Sequence, residues 1–219
     1  MKKYLKLLSE TKLFEGISES EIEAVLQCLS AVTETYQKGE YIFRRGEEVS
    51  RIAIVLEGEI CIQKEDYWGN LSILNKLSEG DVFGEVYACL GDERMLNNVV
   101  AAKKSEVLFL DVHRIFAANA ASEVLRSRLV ENLLSVMALK NQVLARKLEH
   151  MSQRTTREKL LSYLSDQSMK AGSASFSIPF NRQQLADFLA VDRSAMSREL
   201  CKMQDEGILL FKKNYFTLK

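Results

Sequence analysis

"NRQQLADFLAVDRSAMSRELCKMQDEGIL", residues 181–209, decides the fold of the second half of the chain. Asn181 has the right type to cap a helix, with Gln184 three residues on as its reciprocal cap. Leu185, Phe188 and Leu189 then fall on one face. A break at Ala190-Val191-Asp192 follows, and Asp192 can cap a second helix whose inner face is Met196, Leu200 and Met203. Two short helices joined by a three- or four-residue turn predict a helix-turn-helix. Arg193, Ser194, Ser197 and Arg198 project outward from the first two turns of the second helix. These side chains suit base edges and phosphates, at the end that enters a major groove.

Downstream, "GILLF" and "YFTL" flank "KKN". This predicts a β-hairpin with Lys212 and Lys213 at its tip, the layout of a wing beside phosphate. Upstream, Thr155 and Glu158 have capping-box spacing before a stripe of Leu160, Leu161 and Leu164. "KAGSAS" reads as a loop and "FSIPF" as a short extended piece. Residues 152–219 carry 11 Lys and Arg against 7 Asp and Glu, so this segment is net positive by 4 and the rest net negative by 4. A basic tail on an acidic body fits a polyanionic partner for the tail.

From about Ser122 to Met151 there is no Gly or Pro. Apolar residues recur at 125, 129, 133, 136 and 143, and again at 130, 134, 137, 144, 148 and 151. One long helix with two adjacent apolar faces is expected. A helix lying on one domain needs only one such face, so a second copy of the chain is expected to cover the other.

The texture differs between Thr33 and Val112. Short β-branched and aromatic runs occur at 41–43, 52–63, 71–77, 98–102 and 106–112. Seven of the ten glycines (39, 46, 58, 69, 80, 84 and 91) punctuate them. Many short strands with turn signals predict a small β-roll. Before it, Ser18 and Glu21 cap a helix over 18–29 striped by Ile22, Val25, Leu26 and Leu29.

Cys28, Cys61, Cys89 and Cys201 lie far apart in sequence, which fits a reduced cytoplasmic protein with inert thiols. No iron–sulfur clip is visible. The only histidines, His113 and His150, read as solvated surface residues rather than haem ligands. The N-terminal "MKKYLKLLSETK" is not a signal peptide, and no apolar run reaches the ~18 residues of a membrane span. Two separated histidines and no nucleophile–base pair argue against an enzyme, including a metal-dependent β-barrel one.

Taken together, "YQKGEYIFRRGE", "IAIVLEGEI", "GDVFGE", the long helix and "NRQQLADFLAVDRSAMSREL" resemble, in order and spacing, the CRP/FNR family of bacterial transcription regulators. The resemblance covers residues 13 to 218. It implies an α+β fold: a double-stranded β-helix of the cyclic-nucleotide-binding type over 1–121, a long dimerisation helix over 122–151, and a winged helix-turn-helix over 152–219. It also implies a homodimer that reads a palindromic operator in double-stranded DNA. Arg193, Ser194 and Arg198 match positions that contact bases; Arg182 and Gln183 match positions that contact phosphate. Well-known members carry glutamate where Ser194 stands and glycine where Ala190 stands. The loop "SMKAGSAS" lies where relatives touch RNA polymerase, and that partner stays open.

Cyclic-AMP-binding relatives use a Gly-Glu pair, an adjacent Arg and Ser, and a Thr-Ser pair on the long helix. Gly84-Glu85 matches the first. Arg94 lies close to the arginine position, but "MLNN" follows it, and the Thr-Ser pair falls at Gln142-Val143. The candidate effector pocket is therefore Gly84, Glu85, Arg94, Asn97 and Gln142, with an effector other than cyclic AMP. Two alternatives stay open: a cyclic-nucleotide-responsive regulator, and a ligand-binding subunit that regulates another protein.

Overall fold

The computed structural model describes residues 2–65, 71–116 and 122–219, in two compact units, 1–139 and 140–219. The turn expected at Gly69 and the boundary placed at residue 121 fall outside the described residues.

In the first unit, helices α1 (Leu5–Glu10) and α2 (Glu19–Cys28) precede the strands. α2 begins where the sequence predicts. The Ser18 side chain accepts from the Glu21 amide, and Glu21 accepts from the Ser18 amide at 2.9 Å. The strands are β1 (Val32–Tyr36), β2 (Tyr41–Phe43), β3 (Arg51–Glu57), β4 (Ile60–Glu65), β5 (Leu71–Leu77), β6 (Val82–Phe83), β7 (Asn98–Ala101) and β8 (Ser105–Asp111). Helix α3 (Glu85–Leu90) follows β6, and a short α4 (His113–Phe116) follows β8. Two four-stranded antiparallel sheets result, ordered β1-β8-β3-β6 and β2-β7-β4-β5.

Strand β3 shows why its sequence lacks polar alternation. Ala53 and Val55 belong to the core between the sheets, with Phe43, Phe83, Met95 and Phe109. Ile52, Ile54 and Leu56 point the other way, into a second core under α1 and α2. A strand covered on both faces reads as a continuous apolar run. Phe43 meets Phe83 and Phe109 edge-to-face, with centroids 5.8 and 5.9 Å apart.

Helix α5 (Glu123–Ser152) runs for 30 residues. In the first unit Leu129, Leu133 and Val136 bury against the α1/α2 core. Buried among them, Asn132 donates from Nδ2 to the carbonyls of Leu13 (3.0 Å) and Glu15 (2.9 Å). Both carbonyls sit at the 3-10 turn Lys12–Phe14, so one side chain satisfies acceptors that the turn leaves unpaired.

The second unit holds α6 (Thr156–Ala171), β9 (Ser175–Ser177), α7 (Arg182–Leu189), α8 (Arg193–Asp205) and the hairpin β10 (Leu209–Lys212) and β11 (Tyr215–Leu218), in a sheet ordered β10-β11-β9. Leu160, Leu164, Leu185, Leu189, Met196 and Leu200 form its fully buried core with Phe216. Helix α6 outlasts the stripe that predicts it, stopping only at Gly172 in the left-handed conformation.

The second unit also corrects an expectation from the sequence. His150 is not a solvated surface residue but is 4% exposed. Its Nδ1 lies 2.8 Å from Ser162 Oγ and its ring stands perpendicular to Tyr163. Asp166 is 3.8 Å from Nε2 and is itself paired with Lys170. The residues that bury it come from the next two helices, Ser162 and Tyr163 on α6 and Phe188 on α7, which the local sequence does not report.

Candidate nucleic-acid interface

The helix-turn-helix is assembled by three local caps. Asn181 accepts from the Gln184 amide at 3.0 Å while Gln184 accepts from the Asn181 amide at 2.8 Å, fixing the start of α7. Asp192 accepts from the Ala195 amide at 2.7 Å, fixing the start of α8. Between them Ala190 ends α7 at φ 50° and ψ 59°. An L-residue there carries about 1 kcal/mol of strain from its Cβ. Ala190→Gly is therefore expected to stabilise this unit by roughly 0.5–1 kcal/mol, less whatever entropy glycine adds to the unfolded chain. Slower hydrogen exchange of the α7 and α8 amides would register the gain. Unchanged or faster exchange would show that the turn is not strained.

Helix α8 is clamped from behind. Arg157 on α6 reaches Glu199 (2.5 Å) and Glu206 (2.9 Å), one near the middle of α8 and one at its C-terminal cap. Hydrogen bonds to Glu206 and then Glu199 raise the Arg157 pKa, and the same contact lowers that of Glu206. A planar guanidinium offers its donors as a rigid fork, so it fixes two carboxylates at a set angle. Nothing in the sequence near Arg157 announces it, because its partners lie 42 and 49 residues away.

The front of α8 presents Arg193, Ser194 and Arg198, all exposed. Ser197 is different. It is half-buried and donates to the Arg193 carbonyl at 2.9 Å, so its hydroxyl proton is committed to the helix. On α7, Gln183 donates to Asp187 at 2.8 Å. Arg182 is half-buried, with its guanidinium 4.8 Å from the centroid of Phe211 and 5.2 Å from that of Phe216. Burial lowers its pKa. Its flat face is held by the wing aromatics, which sets the direction of its N–H donors. In the wing, Lys212 pairs with Tyr215 across a two-residue turn and Lys213 takes φ 55° at the tip. Both lysines are exposed. Asn214 ties the tip down, donating from Nδ2 to the Ile178 carbonyl at 3.1 Å.

The candidate sensor residues lie in two places. Gly84 caps α3 at φ 77°, where an added Cβ would stand 3.1 Å from the Phe43 ring and 3.3 Å from the Arg51 carbonyl. Glu85, the first residue of α3, is buried, 4% exposed. Arg94 is exposed and turned to another partner: Nη2 reaches Glu48 at 2.7 Å and Nη1 donates to the Gly46 carbonyl at 3.0 Å. Met95, directly after it, is buried in the core between the sheets. Asn97 is half-buried beside this loop, while Gln142 is exposed on α5 within the second unit. His113 is exposed. Cys61 is buried, and that burial pushes its thiol up, which disfavours the reactive thiolate. Among the described residues no three His, Cys, Asp or Glu side chains converge as a metal site, and no helix is long and apolar enough to cross a membrane.

Comparison with known proteins gives two domain matches. Residues 33–119 match the cyclic nucleotide-binding domain and residues 158–219 match the Crp-like helix-turn-helix domain. Over 112 residues the chain is 29% identical to cGMP-dependent protein kinase 2 of Homo sapiens, which covers 51% of this chain but only 14% of the kinase. Among solved structures it is similar to CprK complexed with OCPA, at 16% identity and a TM-score of 0.65, over 90% of this chain and 88% of that one. It is also similar to the catabolite activator protein of Thermus thermophilus, at 21% identity and a TM-score of 0.50, over 95% and 94%. At such identities the structural likeness establishes the fold.

Proposed function

We propose that this chain, a DNA-binding regulator of the CRP/FNR family by its pairing of a cyclic nucleotide-binding domain with a Crp-like helix-turn-helix domain, acts as a homodimer on a palindromic operator. One observation carries the reading. Arg193, Ser194 and Arg198 stand exposed on a helix end whose opposite side is clamped by Arg157 and buried through Met196, Leu200 and Met203. A helix fixed behind and polar in front is what groove readout needs. Arg193 and Arg198 suit guanine edges and Ser194 accepts several bases. Arg182, held by its aromatic platform, and exposed Lys212 and Lys213 suit phosphate. Gln183 would join them by exchanging its bond to Asp187.

The uncovered stripe of α5 supports the homodimer. Leu134, Leu144 and Leu148 are 62%, 55% and 57% exposed. An equivalent helix would bury them, and two copies would present two recognition helices to half-sites about 34 Å apart. An effector would act by shifting the population of DNA-competent dimers.

The effector we propose is a small molecule other than cyclic AMP. A cyclic phosphate needs charge-assisted donors. Arg94 is turned onto Glu48 and Gly46, and no hydroxyl residue follows it; Met95 is drawn into the core. Glu85 and Gly84 then serve the α3 turn rather than a ribose.

Two measurements test this. In a gel-shift screen with genomic fragments, the chain should form a sequence-preferring complex that weakens steeply with salt. Failure to find one would leave the regulatory-subunit reading. Titration calorimetry with cyclic AMP and cyclic GMP should give no heat at millimolar ligand; micromolar binding would overturn the effector assignment.

A further inference from the structure

Two cations on the first turn of α6 reach the two helices of the helix-turn-helix. Helix α6 starts in a capping box. The Glu158 amide donates to Thr155 Oγ1 at 3.1 Å and the Thr155 amide donates to Glu158 at 3.0 Å. Leu160 and Leu164 bury its inner face. Arg157 and Lys159, both half-buried, therefore stand on one rigid turn. Arg157 holds α8 through Glu199 and Glu206. These carboxylates are seven residues apart in the chain, about 10 Å along a helix axis. Lys159 grips the other helix. Its Nζ donates to the Leu189 carbonyl at 3.3 Å, at the end of α7. A helix cannot satisfy its own last carbonyls, and its C-terminal end carries partial negative charge, so a cation suits that place twice over. The next residue is Ala190, which makes the turn in the left-handed conformation.

We infer that Arg157 and Lys159 are positioning residues for operator readout, which together set the tilt and the axial rotation of α8 relative to α7. The inference deepens the DNA-binding reading above and rests on it. Each cation acts through a helix rather than on DNA. Lys159 pins the end of α7 where the turn begins, and Arg157 pins α8 at two points along its length. Two points fix the tilt of a line, and the planar fork resists rotation about it. The margin is small. A helix with its side chains has a radius of about 5–6 Å, so a rotation of about 20° carries a side-chain tip about 2 Å. A base-edge hydrogen bond does not survive that displacement. Arg193 and Arg198 would keep their charge near the duplex but lose their register on the bases. Attraction to phosphate carries no sequence information and needs only proximity, so it would persist.

The test uses the full chain, an operator selected from randomised DNA, and a scrambled duplex of the same length. Arg157→Lys keeps the charge but not the fork, since an ammonium is a point donor. It should lower operator affinity at least fivefold and leave affinity for the scrambled duplex within twofold. Lys159→Met should do the same. Lys159→Arg, which restores a donor, should return operator affinity to within twofold of the wild type. Glu206→Gln separates positioning from electrostatics. It removes a negative charge, so charge alone would tighten both duplexes alike. Loss of one contact of the fork should instead lower the operator-to-scrambled affinity ratio at least threefold. Binding is read well below each variant's Tm, where a merely structural defect leaves the chains folded and the ratio unchanged. An unchanged ratio in Arg157→Lys and Glu206→Gln would remove Arg157 from this role, and an unchanged ratio in Lys159→Met would remove Lys159. A salt slope reduced by about 1 in either cation variant would mark a phosphate contact and overturn positioning for that residue. A wild-type chain with no preference for any sequence would overturn the DNA-binding reading, and this inference with it.

Discussion

Replacing Phe216 by alanine is expected to cost the winged-helix unit about 3–5 kcal/mol. Phe216 is fully buried, stacked 6.3 Å from Phe176 and 6.0 Å from Phe211, and it ties β9 and β11 into one layer. Its removal takes away apolar burial and leaves a cavity that strands on both sides hold open. Hydrogen exchange at the α7 and α8 amides should accelerate by two to three orders of magnitude, which is roughly that energy at 1.4 kcal/mol per tenfold. Unchanged exchange there would show that the core is held elsewhere. A milder variant separates folding from recognition. Phe216→Leu keeps most of the burial and should cost only about 1–1.5 kcal/mol. It still removes one of the two rings under Arg182, so DNA affinity should fall further than stability explains. If Phe216→Leu binds DNA as the wild type does, the aromatic platform does not direct Arg182.

Arg198→Ala is expected to weaken operator binding by about 1–3 kcal/mol, roughly 5- to 150-fold, and to relax preference at one base position in each half-site. Arg198 is exposed on the second turn of α8 and its backbone is immobilised by the Asp192 cap and the Arg157 clamp. The loss should therefore come from the side chain alone. Lys213→Ala supplies the contrast. Its lysine lies at the wing tip, so its loss should weaken all sequences alike and reduce the salt slope by about 1. Selection of randomised operators with both variants distinguishes the two roles. An Arg198→Ala protein with unchanged sequence preference would mean that the register of α8 on DNA is displaced.

The features legible in the sequence are those made by near neighbours. The capping boxes at Ser18, Thr155 and Asn181 each join residues three apart, and all three form. The longer strands follow from β-branched runs between glycines. Helices α1 and α3 are six residues each, too short for an apolar period to stand out. Strand β6, two residues long, has the same difficulty. Glu85 reads in sequence as the carboxylate of a Gly-Glu pair; only the fold makes it the buried first residue of a helix.

Among charged and polar side chains, sequence supplies candidates and packing sorts them. Arg157, Arg182, Arg193 and Arg198 are equivalent as letters. Arg157 is taken by Glu199 and Glu206, and Arg182 is laid on Phe211 and Phe216. Arg193 and Arg198 stay on the open face. His150 passes from surface to interior because Ser162, Tyr163 and Phe188 close over it. The sequence alone determined the helix-turn-helix, the strand-rich first half and the two-faced long helix, since periodicity and caps act within a few residues. Only the tertiary structure decided which side chains remain available to a partner. Availability depends on groups tens of residues away, and those meet only once the chain is packed.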